Sequence, residues 1–209
     1  MSSRVDFNLY LIADMEQVKK DIVSSVKRAI DGGERAVQLR GKNRSARDIL
    51  KIGERLRLLT SKESVKLFIN DRIDVAIALE ADGIHLGQNS IPVRLARKIS
   101  GRSFIIGVST HSLKEARDAE DGGADFITFG PIFETESKLV YGPPIGLNRL
   151  AKVTRQVNVP VFAIGGIKVD RIRDVMEKGA CGVAVISAIF GAKSVCSAAV
   201  DMLEALRAR

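Results

Sequence analysis

The stretch "GGADFITFG", residues 122–130, joins a pair of glycines to a short apolar run, and this pattern decides the fold. Related stretches occur as "EADGIHLG" at 80–87 and "KGACGVAVIS" at 178–187. In each of them, residues that suit the end of a helix come just before an apolar run of strand length. Repetition of such a sequence pattern is typical of a chain built from successive αβ units.

Around these stretches, eight apolar runs of strand length alternate with segments of helical spacing. The runs are residues 7–13, 36–39, 66–69, 83–86, 104–108, 126–129, 161–164 and 182–186. Apolar strands that alternate with amphipathic helices indicate an α/β protein with a parallel sheet covered by helices. Eight such units predict a closed (β/α)8 TIM barrel that forms a single domain over residues 1–209, with an open doubly wound sheet as the alternative.

The predicted helices carry periodic apolar faces and signals at their ends. Ser45 with Asp48, and Ser112 with Glu115, have the spacing of capping boxes that open helices. Two apolar faces are Val18, Ile22, Val26, Ile30 and Ile49, Ile52, Leu56, Leu59, and the expected helix stops are Gly32–Gly33, Gly122–Gly123 and Gly179.

Composition narrows the class of partner. The chain has 209 residues with 33 Lys+Arg against 25 Asp+Glu, and a net charge of +8 attracts acidic partners, either phosphorylated metabolites or nucleic acid. The basic residues are scattered and only 5% of residues are aromatic, which disfavours a nucleic-acid surface. The apolar run 9–13 is too short to span a membrane, and Cys181 and Cys196 lack metal-type spacing. We therefore expect a cytoplasmic protein that binds neither nucleic acid nor membrane.

Polar residues follow most of the predicted strands, at the barrel face where side chains from all strand ends converge. Arginine, lysine and hydroxyl groups there suit an anion, and the loops after strands seven and eight commonly bind phosphate in this fold. We therefore predict a phosphate or diphosphate site. In strand order the residues are Gln38, Arg40, Lys42; Asn70, Asp71; Gly87, Gln88, Ser90; Ser109, Thr110, His111; Thr135, Ser137, Lys138; Gly165, Gly166; and Ser187.

Several of these residues also have a purely structural interpretation. Gly165–Gly166 would then serve only a tight turn, and Asp71 would only favour a helix dipole. Ser90 precedes Ile91 and a proline, which is the form of a helix N-cap. His85, inside an apolar strand, is predicted to be a hydrogen-bonded barrel residue and not a catalyst. The residues alone leave these alternatives open.

Six motifs together resemble the thiamine-phosphate synthase family, whose superfamily also contains thiazole tautomerases. They run along nearly the whole chain in the family's order. The motifs are "QLRGK" at 38–42, "INDRIDVAIALEADGIHLGQ" at 69–88, "IIGVSTHS" at 105–112, "FETESK" at 133–138, "FAIGGI" at 162–167 and "GVAVISAI" at 182–189.

The resemblance implies a transferase that joins hydroxymethylpyrimidine diphosphate to a thiazole phosphate, forming thiamine phosphate and pyrophosphate. It also implies roles for individual residues. Gln38, Arg40, Lys42 and Asn70 would bind the pyrimidine diphosphate, with Ser109 and Lys138 completing that pocket, and Asp71 would hold Mg²⁺. Thr135, Ser137, Gly166, Ile186 and Ser187 would form the thiazole phosphate side. Arg40, Ser109, His111 and Lys138 are the expected catalytic residues.

Three positions differ from the usual synthase pattern. Ser90 stands where the family has a second acidic Mg²⁺ ligand, and Glu134 stands where a proline is usual, as in the tautomerase branch. Gly41 replaces a residue that is often acidic. Mg²⁺ commonly relies on one or two carboxylates, waters and substrate phosphates, so Asp71 with a diphosphate can suffice.

Two other functions remain as alternatives. A thiazole tautomerase would use His111 as its acid and base, since histidine titrates near neutrality. The retained Arg40, Lys42 and Lys138 favour the synthase, because an isomerase has no diphosphate to neutralise. A non-catalytic protein that binds thiamine phosphate is the third hypothesis. The sequence leaves the assembly open, with a homodimer as the candidate.

Overall fold

The structure, a computed structural model, describes residues 4–135 and 143–208. Its strands are all parallel and close into a barrel in chain order, with Leu9 of the first strand opposite Val183 of the last. Closure excludes the open sheet and confirms the prediction of a (β/α)8 TIM barrel. The strands are β1 (Leu9–Asp14), β2 (Ala36–Arg40), β3 (Lys66–Asn70), β4 (Gly83–Leu86), β5 (Ile105–Thr110), β6 (Phe126–Phe129), β7 (Val161–Ile164) and β8 (Gly182–Val185).

Helices cover the outside of the barrel, and a short 3-10 turn at Val169–Arg171 precedes the seventh. Within the described residues, no helix is long and apolar enough to cross a membrane. The helices are α1 (Ile22–Asp31), α2 (Ala46–Lys62), α3 (Ile73–Ala78), α4 (Val93–Ser100), α5 (Leu113–Asp121), α6 (Leu147–Thr154), α7 (Ile172–Glu177), α8 (Ser187–Phe190) and α9 (Val195–Arg207).

The predicted helix boundaries are mostly confirmed. The Ser45 side chain accepts the N–H of Asp48 at 3.1 Å at the start of α2, and Ser112 accepts the N–H of Glu115 at 3.2 Å at the start of α5. Glycines with positive φ follow α1, α5 and α7, as expected where a helix ends in the left-handed region. Val18 is the exception: Asp21 caps α1, so Val18 lies before the helix and not on its face.

Aromatic rings fill the lower part of the barrel. The ring centroids of Tyr10, Phe68 and Phe126 lie 5.3–5.7 Å apart and all three side chains are buried. Gly107 on β5 makes room for this layer, since a Cβ there would lie 2.4 Å from the Phe126 ring. His85 stacks above Tyr10, with 5.6 Å between the ring centroids. The barrel is therefore a packed core, and polar chemistry is left to the carboxyl ends of its strands.

Candidate active site

Asp71 is the centre of a hydrogen-bonded cluster at the ends of β2, β3 and β4. Gln38 Nε2 donates to Asn70 Oδ1 at 2.7 Å, and Asn70 Nδ2 donates to Asp71 Oδ2 at 2.7 Å. The other carboxylate oxygen of Asp71 accepts the Gly87 N–H at 2.9 Å and the Ser90 hydroxyl. Each carboxylate oxygen thus has a donor, so Asp71 is held in one orientation.

Ser90 belongs to this cluster and does not cap α4. The N-cap of α4 is Pro92, which has no side-chain capping bond, so the N-cap interpretation of Ser90 is wrong. Ser90 Oγ accepts the Gly87 N–H at 2.6 Å while it donates to Asp71. Because Ser90 lies just after β4, next to the end of β3, its neutral hydroxyl contacts the Asp71 carboxylate.

The backbone of Asp71 is itself unusual. Its φ of 57° lies in the left-handed region, where aspartate is found more often than most residues but still at some cost in free energy. The Asp71 N–H donates to the carbonyl of His85 at 3.0 Å, which ties the end of β3 to β4. Such strained residues concentrate at functional sites.

Arg40, at the end of β2, is anchored by an acid that sequence reasoning missed. Asp14 ends β1 directly opposite Arg40 and is fully buried, and its Oδ2 binds Arg40 Nη1. Asp14 Oδ1 also accepts the N–H groups of Glu16 and Gln17, at 2.9 and 3.2 Å. The available signal was an acid closing the apolar run "LYLIAD", since a buried carboxylate needs a cation or several donors.

His85 lies beneath this site and is neutral. Burial lowers its pKa to about 4, while nearby Asp71 raises that pKa and nearby Arg40 lowers it. His85 Nε2 lies 3.0 Å from Ser109 Oγ, and its Nδ1 lies 3.4 Å from the Tyr10 hydroxyl. Leu39 on β2 lies opposite Ile69 on β3, so Arg40 and Asp71 follow neighbouring strand ends. The prediction that His85 is a hydrogen-bonded barrel residue is confirmed.

His111 follows β5 and has a defined tautomer. Its Nδ1 lies 2.5 Å from the carbonyl oxygen of Gly130, which can only accept, so Nδ1 carries the proton. The backbone N–H of His111 donates to Glu115 Oε2 at 2.8 Å. Nε2 is then the nitrogen that could exchange a proton when the ring is neutral.

Gly165 and Gly166 have a direct steric reason for lacking side chains. Their φ values are 98° and 65°, and a Cβ on Gly166 would lie 2.6 Å from the carbonyl oxygen of Glu134. The Phe133 N–H donates to the Gly165 carbonyl at 3.0 Å, so the turn after β7 supports the loop after β6. The turn therefore requires glycine at both positions, and the same backbone is compatible with phosphate binding.

The remaining predicted residues have these positions. Lys42 is exposed just beyond β2, Thr135 is the last described residue after β6, and Ser137 and Lys138 lie outside the described residues. Ile186 is the N-cap of α8, and the exposed Ser187 is its first residue. The structure thus brings Gln38, Asn70, Asp71 and Ser90 into one hydrogen-bonded chain near Arg40 and Ser109.

The residues present fit Mg²⁺ only together with a substrate. Among the described residues, no group of three His, Cys, Asp or Glu side chains could hold a metal. Asp71 is exposed and offers one carboxylate, with the neutral hydroxyl oxygen of Ser90 beside it. Mg²⁺ keeps several waters and uses substrate phosphate oxygens, so this donor set suits a metal that arrives with a diphosphate.

Comparison with known proteins identifies the family. The family model described as thiamine monophosphate synthase matches residues 9–189. The thiamine-phosphate synthase of Halalkalibacterium halodurans is 44% identical over 191 residues, which cover 91% of this chain and 90% of that protein. The thiamine-phosphate synthase of Alkaliphilus oremlandii is 39% identical over 204 residues, or 97% of each chain.

A solved structure agrees with these relatives. Thiamine phosphate pyrophosphorylase from Pyrococcus furiosus matches with a TM-score of 0.88 and 40% identity, over 98% of this chain and 97% of that one. The barrel fold agrees with this result. The chain therefore belongs to the thiamine monophosphate synthase family.

Proposed function

We propose that the chain is a thiamine-phosphate synthase that joins hydroxymethylpyrimidine diphosphate to thiazole phosphate, or its carboxylate, and releases pyrophosphate. Family membership supports the reaction class. The observation that carries the assignment of the site is the chain of contacts from Gln38 through Asn70 and Asp71 to Ser90, with Arg40 nearby. It gathers a carboxylate, two amides and a cation at the end of the barrel where this fold places its active sites.

The proposed reaction breaks the bond between the pyrimidine methylene carbon and the diphosphate oxygen, and the electron pair leaves with pyrophosphate. The electron-rich aminopyrimidine carries the positive charge until the thiazole nitrogen donates its lone pair to the same carbon. Negative charge grows on the leaving group, so donors and cations fixed around it lower the barrier. No side-chain nucleophile is required.

The chain's own residues suit this task. Arg40 binds Asp14 through Nη1, and within the described part of the chain its other guanidinium N–H groups have no hydrogen-bond partner, so they are available for diphosphate oxygens. Ser109 offers a hydroxyl, and its Oγ lies 3.0 Å from Nε2 of the neutral His85. Lys42 and Lys138 would add positive charge, as the family resemblance implies.

Mg²⁺ bound with the diphosphate would neutralise part of the charge on the leaving group. Asp71 would hold it, because its carboxylate is exposed and is oriented by Asn70, Gly87 and Ser90. Ser90 supplies a neutral oxygen where a second carboxylate would add charge. We therefore infer that the metal depends on substrate oxygens more than on the protein.

One assay tests the proposal. Purified protein is mixed with Mg²⁺, hydroxymethylpyrimidine diphosphate and thiazole carboxylate phosphate, and thiamine phosphate and pyrophosphate are measured together. Equal amounts of both products support the synthase. Rearrangement of the thiazole alone would support a tautomerase that uses His111, and tight binding of thiamine phosphate without either reaction would support a binding protein.

We also propose that the enzyme works in the cytoplasm as a homodimer on small phosphorylated substrates. Light scattering of the purified protein measures its mass directly. A mass of one chain would contradict the homodimer without bearing on the reaction.

A further inference from the structure

Two loops meet on the side of the site where the family resemblance places the thiazole phosphate. The first follows β6 and includes Phe133, and the second is the turn after β7 that includes Gly166. The Ile132 N–H donates to the Ile164 carbonyl at 2.9 Å, and the Phe133 N–H donates to the Gly165 carbonyl at 3.0 Å. The hydrogen bonds between β6 and β7 therefore continue beyond the strands, into the loop after β6 and the turn after β7.

Arg171 binds both loops. Its Nη1 donates to the Gly166 carbonyl at 2.7 Å, and its guanidinium carbon lies 4.6 Å from the centre of the Phe133 ring. Arg171 is half-buried and, within residues 4–135 and 143–208, forms no ion pair with a carboxylate. Its charge is thus directed at a backbone carbonyl and an aromatic face, two contacts that favour arginine over lysine.

The contact between the loops is tight enough to respond to a single side chain. A Cβ on Gly166 would lie 2.8 Å from Phe133 Cβ and 2.6 Å from the Glu134 carbonyl oxygen. Because a trans peptide points its carbonyl and its N–H in opposite directions, the bond from Arg171 also sets the direction of the Ile167 N–H. Backbone N–H groups in such a left-handed turn are the kind of donor that binds phosphate.

We propose that Arg171 is a positioning residue for the thiazole phosphate. It holds Phe133–Thr135 against the turn Gly165–Gly166 and so fixes the backbone that receives the phosphate. This role rests on the proposed function, because that function assigns Thr135 and Gly166 to the thiazole side. Sequence motifs do not single out Arg171, since it follows a surface stretch, "KVD", and looks like a solvated charge.

Steady-state kinetics with each substrate varied in turn tests the role. Arg171→Ala should raise KM for thiazole phosphate about tenfold, the loss expected from one charge-assisted hydrogen bond, and leave KM for the pyrimidine diphosphate unchanged. Arg171→Lys keeps a charged donor without the planar stack and should lie between wild type and Arg171→Ala. A general loss of folded protein would not produce this split between the two KM values.

Two further variants separate positioning from direct contact with phosphate. Phe133→Leu removes the ring and should raise the same KM, and the double variant should add little to Arg171→Ala, because both changes break one contact. Arg173→Ala is the matched control: it removes the same charge two residues away, where Arg173 pairs with Glu177 at 2.9 Å on an exposed surface. It should keep wild-type kinetics.

The outcomes that overturn the role are distinct from failure of the proposed function. An unchanged KM for thiazole phosphate in Arg171→Ala, or an equal rise in both KM values, shows that Arg171 does not position that side. Wild-type KM in Phe133→Leu beside a raised KM in Arg171→Ala shows that Arg171 does not act by holding Phe133 against the turn, which overturns the proposed link between the two loops. If wild-type protein makes no thiamine phosphate, the proposed function fails first and the role of Arg171 falls with it.

Discussion

Replacing Asp14 with asparagine tests whether the ion pair at the end of β1 keeps Arg40 in the site. Asp14 is fully buried and binds Arg40 Nη1. Asparagine keeps one oxygen for the N–H groups of Glu16 and Gln17, but the group that faces the guanidinium loses its charge. We expect Arg40 to leave its position or to occupy it less of the time.

The loss of stability expected for Asp14→Asn depends on how deeply the Asp14–Arg40 ion pair is buried. Removing one partner of a fully buried ion pair costs about 3–5 kcal/mol. The Arg40 side chain is 31% exposed, so water solvates part of the charge left behind, and we expect a loss of about 1–2 kcal/mol in the free energy of unfolding. A loss of the same size in transition-state binding lowers kcat/KM by about 5- to 30-fold.

The assay is kinetics of thiamine phosphate formation together with urea unfolding of the same variant. Asp31→Asn is the matched control, because Asp31 pairs with Lys27 at 2.9 Å on the surface of α1, where water screens the pair and its loss should change stability little. If Asp14→Asn kept both wild-type kcat/KM and wild-type stability, Arg40 would not depend on Asp14 and the reasoning would be refuted.

Four other substitutions have defined outcomes. Arg40→Ala and Lys138→Ala should each remove most turnover. By calorimetry, Lys138→Ala should unfold near the wild-type temperature and Arg40→Ala at a lower one, because its loss leaves the buried Asp14 carboxylate without a cation; wild-type rates in both would refute the diphosphate assignment. Ser90→Asp should lower the Mg²⁺ concentration needed for half-maximal rate, because a second carboxylate joins Asp71, and an unchanged titration would contradict this. Burial raises the pKa of Glu34 from 4.5 to about 8, so the folded state keeps a proton that the unfolded state releases, and stability falls as pH rises through that range. Glu34→Gln should lose less stability than wild type over that pH range in urea unfolding, and an equal loss would show that Glu34 does not titrate as its burial implies.

The strands were predictable because each is a short apolar run with a helix-ending signal before it. In a parallel barrel both faces of a strand are buried, so "FITF" and "GIHL" read as continuous apolar runs. Order along the chain then gave the neighbours, since consecutive units pair in a barrel. The prediction that Val18 lies on the face of α1 was wrong because the helical spacing of apolar residues extends back beyond Asp21. The Asp21 side chain caps α1, so the helix begins at Ile22, one turn after Val18.

The site was predictable only in part, because its supporting contacts join residues far apart in sequence. Asp71 and Arg40 were found from their places after strands. Asp14 was not found, because the sequence around an acid at the end of an apolar run does not indicate which cation on β2 it will bind. Ser90 has the sequence context of a helix cap, and only the approach of β4 to β3 shows that it binds Asp71.

The most direct test of the shared diphosphate site is a crystal structure of the protein with Mg²⁺ and pyrophosphate. We expect pyrophosphate oxygens within about 3.2 Å of the Arg40 guanidinium and of Ser109 Oγ, with the metal bound to the Asp71 carboxylate. Pyrophosphate bound away from Arg40 and Asp71, or a metal that contacts neither Asp71 nor the pyrophosphate, would contradict the proposed site.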